Sequence, residues 1–308
     1  MKTLLVGYKA ADLRPELLEG DVTCHVLDIY HQHAIEKVFP KAKVVCSAHL
    51  PADDWGRISF LTGPKLMSGE LALDLLQEMH LLKRDCGCEI EVRYLGRERD
   101  RNDLLNKIKD DPERVRSFRA EWPASVPGGE RQMFVSYPGC FCHRRLDEGG
   151  LALAEVVSRE LKSAGELKLL DMGCGCGLVG LLVAGVTKNL KLTMIDSHAR
   201  AVAAARENAE RFGIAAEVML ADDGIARRPE LMGGYDVFVG NPPYYSDYRI
   251  AEVFLETAKA ALKPGGVCYT VVKNDAGLKP VQERYFPTVE VIRRRGYCVL
   301  KSMMAERD

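Results

Sequence analysis

Two short stretches of this chain carry residues that could do chemistry. Asn241-Pro242-Pro243-Tyr244 closes an apolar run over 235–240 and lies about 70 residues after a glycine-rich turn, Asp171-Met-Gly-Cys-Gly-Cys-Gly177. A planar NH2 group is a poor nucleophile while its lone pair is delocalised into a ring. Two acceptors placed on its two N–H bonds can draw the nitrogen toward tetrahedral geometry and aim that lone pair. The side-chain oxygen of Asn241 and the carbonyl of Pro242 are such acceptors. Pro242 and Pro243 have fixed φ and restrict the preceding residue, so the corner is stiff where reaction would occur. Tyr244 offers a flat face to a target base. Attack on an activated methyl group then needs proximity and alignment more than a strong base.

Gly173, Gly175 and Gly177 follow a strand-like run and precede a helix-like one, the context in which such a turn holds a ligand. Their bare backbone can pass close to a nucleotide-like cofactor and leave the helix N-terminus open. Asp196, about 20 residues on, ends the next strand, where a carboxylate can accept from both ribose hydroxyls. That much suits nicotinamide-dependent and methyl-transferring enzymes alike. Two acidic positions favour S-adenosylmethionine. Asp171 opens the turn, where it could balance a cationic ligand through nearby amides or water. Asp222 or Asp223, after the third strand, could bind the adenine amino group, although the pair also suits a plain turn. Taken with the tetrad, the turn points to methyl transfer from S-adenosylmethionine to an amide or base nitrogen.

The elements that must position these groups follow from the alternation of apolar runs. With 308 residues the chain is long enough for two domains. In the C-terminal half the pattern predicts strands over 167–170, 191–195, 216–220, 235–239 and 267–272. Helices are expected over 178–186, 199–212 and 251–262, and β runs near 288–293 and 297–302 complete an antiparallel edge. The fold class is therefore α/β, and residues 132–308 form a Rossmann-like, mostly parallel seven-stranded sheet. The N-terminal half repeats the rhythm. Strands fit 4–6, 24–28, 43–46, 57–60 and 89–94, and helices fit 31–38 and 68–82. Asp28 ends its strand as Asp196 does, yet Gly7 is followed by Tyr-Lys-Ala-Ala-Asp12, without further glycines. Residues 1–96 are thus expected to be a degenerate copy of the same domain that has lost the cofactor. Residues 97–131, highly charged and with Pro123, Pro127, Gly128 and Gly129 near their end, read as a linker with a helical portion.

Composition narrows the partners. Apolar residues make up 47% and charged residues 28%, as in soluble globular proteins. A net charge of -1 excludes a polycationic nucleic-acid coat and leaves only local basic clusters, such as His143-Arg-Arg145, Arg227-Arg228 and Arg293-Arg-Arg295. No apolar stretch approaches the roughly 18 residues that span a bilayer, and the first residues lack the pattern of a secretory signal. A cytoplasmic protein with no membrane partner is expected. The pairs Cys86/Cys88, Cys140/Cys142 and Cys174/Cys176 have one residue between them, unlike zinc sites, so no metal and reduced thiols are expected.

The turn and the tetrad together resemble the class I amino-group methyltransferases that act on adenine, guanine or glutamine. A further stretch, Tyr137-Pro-Gly-Cys-Phe-Cys-His-Arg-Arg-Leu-Asp-Glu-Gly149, resembles the Pro-Gly-x-Phe … Leu-Asp-x-Gly segment of the small-domain methyltransferases that modify guanine N2 of ribosomal RNA. Those enzymes are similar in plan too, with a degenerate first copy and a working second one. The resemblance implies S-adenosylmethionine as cofactor, an exocyclic amine of an RNA base as target, and ribosomal RNA or a ribosomal particle as partner of a monomer or weak oligomer. It implies that Phe141 and Asp147 line the cofactor or substrate mouth and that 241–244 hold the amine. This chain departs from the family's pattern at Tyr244 and Tyr245, where Phe then His is usual, and at Gly150, where a hydroxyl residue is usual. Adenine N6 of RNA and protein glutamine stay open as targets. A non-catalytic RNA-binding scaffold is the alternative of another class.

Overall fold

Alternating apolar runs and helices give two sheets in the computed structural model, which describes residues 1–109, 118–161, 165–222, 229–243 and 248–306. By contact the chain divides into two units. The first holds Met1–Ala120, Tyr137–Cys140 and His198–Arg200; the second holds the remainder.

The first unit contains β1 (Thr3–Val6), β2 (Val22–Val26), α1 (Ile29–Val38), β3 (Lys43–Cys46), β4 (Arg57–Thr62), α2 (Gly69–Cys86), β5 (Glu89–Tyr94) and α3 (Glu98–Lys109). Its five strands are parallel, in the order β3-β2-β1-β4-β5. Ser68 starts α2 by accepting a hydrogen bond from the Leu71 amide, and Gly87 stops it in a left-handed conformation. Between these caps Leu71, Leu75, Leu76 and Met79 recur every three or four residues. That stripe buries itself in one cluster with Leu4, Ile58 and Phe60. The charged stretch read as a linker supplies α3, and Leu104 of α3 lies in the same cluster. Arg200, 2% exposed, forms ion pairs with Asp74 and Glu78 and donates to the carbonyls of Ala48 and Pro138. A guanidinium can be buried only when it is this fully satisfied.

In the second unit, β6 (Ala120–Ala124) and β7 (Gln132–Ser136) pair as a two-stranded sheet, and Trp122 of one stacks on Phe134 of the other. Then follow α4 (Glu148–Leu161), β8 (Leu167–Met172), α5 (Leu178–Ala184), β9 (Leu190–Asp196), α6 (Ala199–Arg211, whose first two residues belong to the first unit), β10 (Ala216–Leu220), β11 (Tyr235–Gly240), α7 (Arg249–Ala261), β12 (Leu262–Val272), α8 (Asp275–Gln282), β13 (Glu290–Arg294) and β14 (Tyr297–Met303). Seven strands run in the order β10-β9-β8-β11-β12-β14-β13; β14 pairs antiparallel with both β12 and β13, and the other pairings are parallel. The expected mostly parallel seven-stranded sheet is present. Its first five strands have the same order as the sheet of the first unit. Leu170, Met172, Phe238 and Cys268 join residues of α7 and α8 in one core, while Asp171, between the first two, points to α5 on the other face.

Among the described residues five elements depart from the sequence pattern, and two of them are β6, inside the stretch read as a linker, and β7 just after it, where no strand was expected. Strand β12 begins at Leu262 rather than at 267, because the Gly265 amide and the Gly266 carbonyl bond to Met304 and carry the ladder back across Lys263-Pro-Gly-Gly266. Helix α4 is buried on every side from Gly149 to Ser158, so it shows no polar face from which to read a helix. Helix α8 contains Pro280, at which a sequence reading stops a helix.

Candidate active site

The carboxyl ends of parallel strands are where open α/β sheets bind ligands. Here the candidate residues follow one another along that edge. Asp222 comes after β10, Asp196 ends β9, the glycine turn follows β8 and Asn241 follows β11. Asp223 and Tyr244 lie outside the described residues.

Gly173, Gly175 and Gly177 all have left-handed φ, of 65°, 56° and 84°. Their surroundings differ. A Cβ on Gly173 would stand 2.7 Å from the ring of Phe254, and one on Gly177 would stand 2.8 Å from Leu181. A Cβ on Gly175 would meet nothing within 4 Å. Two of the glycines therefore serve packing, and the middle one borders open space. The Asp196 carboxylate accepts from the Gly175 amide at 2.8 Å, and the Ala221 amide donates to the Asp196 carbonyl at 3.0 Å. Asp222, Asp196 and Gly175 are thereby brought together.

Asp171 is 2% exposed and accepts from the Gly180 amide at 2.8 Å. Burial pushes its carboxyl up to about 7, against the pull of that amide. Its side chain ties α5 to β8 under the turn, so its effect on a ligand would pass through the amides it orders. Asn208, which the sequence reading missed, does the same from α6. Its Nδ2 donates to the carbonyls of Cys176 and Val135, and its Oδ1 accepts from the Val135 amide at 2.7 Å. The available signal was an amide on the otherwise alanine-lined buried stripe of Ala201, Ala204 and Ala205.

Asn241 leaves the sheet beside Gly173, since Gly240 pairs with Met172. The ring of Phe254 supports both strand ends; a Cβ on Gly240 would stand 2.8 Å from it. Pro242 is buried and Pro243 half-buried. Asn241 Nδ2 donates to Asp147 Oδ2 at 2.7 Å. Asp147 also caps α4: its Oδ1 accepts from the Gly149 amide at 3.1 Å and its carbonyl from the Leu151 amide at 2.9 Å. Burial raises the Asp147 carboxyl, and the hydrogen bonds from Gly150, Asn241 and Gly149 pull it back. Phe141 is 67% exposed on the turn before Asp147. His143 of that turn has its Nδ1 3.0 Å from Oγ of Ser136, the last residue of β7, which accepts from the Trp122 indole.

Among the described residues no group of three or more His, Cys, Asp or Glu is placed to hold a metal ion, and no helix is long and apolar enough to cross a membrane. The cysteines are free thiols.

Known proteins resemble this chain in part and in whole. A ribosomal RNA small subunit methyltransferase C of Pseudomonas paraeruginosa is 37% identical over 161 residues, 51% of this chain and 46% of that protein. Its namesake in Chromohalobacter salexigens is 35% identical over 135 residues, 42% and 39% of the two chains. The chain spans less than half the length of either relative. A solved structure of a T. thermophilus 16S rRNA N2 G1207 methyltransferase (RsmC), in complex with AdoMet and guanosine, superposes with a TM-score of 0.79 at 14% identity. It covers 99% of this chain and 88% of that one, a likeness of fold. Residues 131–301, which include the glycine turn, Asp147 and the Asn-Pro-Pro corner, match the methyltransferase small domain. That stretch is more than half of the sequence, and the chain belongs to the methyltransferase small domain family.

Proposed function

We propose that the second unit transfers a methyl group from S-adenosylmethionine to the exocyclic amine of an RNA base, guanine N2 of ribosomal RNA. The observation that carries this reading is the order of groups along one sheet edge: Asp222, Asp196, the open Gly175, then Asn241. The residues fit the cofactor. Asp222 would take the adenine amine, Asp196 the ribose hydroxyls, and the amides of the glycine turn the remaining portion, in the open space beside Gly175. S-adenosylmethionine, when bound, supplies an electrophilic methyl group on a sulfonium sulfur. Asn241 Oδ1 and the Pro242 carbonyl would accept the two N–H bonds of the target amine and direct its lone pair. As the N–C bond forms and the S–C bond breaks, the surplus proton on nitrogen leaves to water.

Ribosomal RNA as substrate is supported by the names of the relatives, and guanine N2 by the name of the solved neighbour and the guanosine in its complex. It must be exposed in a loop or turned out of its stack to reach the corner. We read the substrate as ribosomal RNA or a ribosomal particle in the cytoplasm, and the chain as a monomer or weak oligomer. The test is methyl transfer from labelled donor onto separate RNA and protein pools, followed by nucleoside analysis. N2-methylguanosine is expected in RNA. Asn241→Ala should lower turnover by about 100- to 1,000-fold, the effect of removing one transition-state hydrogen bond, with the donor still bound. Methylated adenine or glutamine would redirect the reading, and a chain that retains donor but transfers nothing would overturn it.

A further inference from the structure

The two ends of an asparagine amide are nearly the same size, so packing alone does not decide which end faces an incoming amine. At Asn241 a charge decides it. We propose that Asp147 is a positioning residue for methyl transfer: its carboxylate holds Nδ2 of Asn241 and so makes Oδ1 the end that accepts the substrate's N–H. This role presupposes the methyl-transfer reading above.

An ionised carboxylate only accepts hydrogen bonds. The 2.7 Å contact between Asn241 Nδ2 and Asp147 Oδ2 therefore admits one orientation of the amide. Asp147 is itself held, because the Gly149 amide bonds its Oδ1. Gly150 clears the space for Oδ2, since a Cβ there would stand 2.6 Å from that oxygen. Gly150 is thus the residue that lets the carboxylate close on Asn241. Protonated Asp147 would instead donate. The amide could then turn over and present its NH2 to the NH2 of the base, donor against donor.

Among the described residues, the groups facing Asp147 come from four elements. Helix α4 contributes the amides of Gly149 and Gly150 and the like charge of Glu148. The end of β11 contributes Asn241. The preceding turn contributes Cys142, which senses Asp147 and bonds to Arg145. Strand β14 contributes the Tyr297 ring, which packs against Gly149. Burial raises the carboxyl above the ordinary aspartate range. As pH falls through that raised value the acceptor orientation is lost, so turnover should fall on the acid side earlier than for an ordinary aspartate, with a plateau above.

The experiment separates this role from simple helix capping. Asn caps helices as well as Asp does, so Asp147→Asn keeps the cap while making the partner able to pair with either end of the amide. Turnover should drop roughly 10-fold in Asp147→Asn and roughly 100-fold in Asp147→Ala, with donor affinity unchanged and the acid limb absent from the Asp147→Asn profile. A second measurement needs no turnover. With asparagine side chains labelled with 15N, the Asn241 NH2 resonance, assigned by its loss in Asn241→Ala, should move with pH in the wild type and stay fixed in Asp147→Asn. Wild-type turnover and an unchanged acid limb in Asp147→Asn, or a pH-insensitive Asn241 resonance, would overturn the role of Asp147. A titrating resonance in a protein that transfers no methyl group would instead keep the couple and remove the methyl-transfer reading.

Discussion

The two sheets share the strand order third, second, first, fourth, fifth, yet their carboxyl edges carry opposite kinds of residue. Registers within each sheet align the positions. Val6 pairs with Phe60 in the first unit, and Met172 pairs with Gly240 in the second. Leu61 therefore stands where the second unit has Asn241, and Leu5 stands where it has Asp171. On the other side Val6 pairs with His25 and Met172 with Ile195. Val26, not Asp28, thus occupies the place of Asp196. Asp28 lies two residues further on and caps α1 by accepting from the Tyr30 amide. The turns differ as well. A Cβ on Gly7 would stand 2.3 Å from the Leu61 carbonyl, and Tyr8 is buried in the next position, whereas Gly175 borders open space. On the proposed function, one topology serves as a closed body in one unit and as a ligand cleft in the other, and the difference lies in a few residues at the strand ends.

The largest effect that would test this contrast belongs to the closed body. The first unit keeps its buried charges for itself: Arg200 neutralises Asp74 and Glu78. Arg200→Met leaves Asp74 without its cation and Glu78 with His49 alone, and should lower the unfolding free energy by about 3–5 kcal/mol, read from urea denaturation. Adding Asp74→Asn and Glu78→Gln should restore part of the loss, because the uncompensated charge is then gone. A loss below about 1 kcal/mol would show that the network contributes little to stability.

Asp196 and Asp28 sharpen the comparison on the side of binding. Asp196→Ala should weaken S-adenosylmethionine about 10- to 100-fold, which corresponds to losing charged hydrogen bonds of about 1.5–3 kcal/mol. Asp28→Ala should leave that affinity unchanged and lower stability by about 1 kcal/mol, the effect of removing an N-cap. Calorimetric titration reads both and should find one donor per chain. Two donors per chain, or a weakened donor in Asp28→Ala, would dissolve the distinction between the copies.

Much of this contrast was legible in the sequence, for reasons that also explain the rest. The parallel strands were readable because they are short apolar runs bounded by glycine, aspartate or proline, and the turn and corner because only a few residue types adopt those backbones. Helix α4 was not, since a helix buried on all sides loses its periodicity, and with it went the capping role of Asp147. The contact of Asp147 with Asn241 joins residues 94 apart in the chain, and Asn208 reaches Val135 across 73. Such pairings depend on which strands become neighbours, which local pattern does not fix. Asp28 misled because it is an aspartate just after a strand; only the register shows that it is two residues late.

The smallest expected effect concerns Tyr8, which fills the first turn. Its hydroxyl lies 2.8 Å from Ser59 Oγ, and both residues are buried. Tyr8→Phe keeps the ring and removes one neutral hydrogen bond, so stability should fall by about 1 kcal/mol. Ser59→Ala should lose a similar amount. The double variant should lose less than the sum of the two, since removing both partners leaves no buried hydroxyl unsatisfied. Donor affinity should stay within about twofold throughout, because the interaction is internal to a turn whose glycine already packs against Leu61. Additive losses would mean that the two hydroxyls act independently and that Tyr8 fills the turn by its ring alone. A change in donor affinity would mean that the closed copy still shapes the open one.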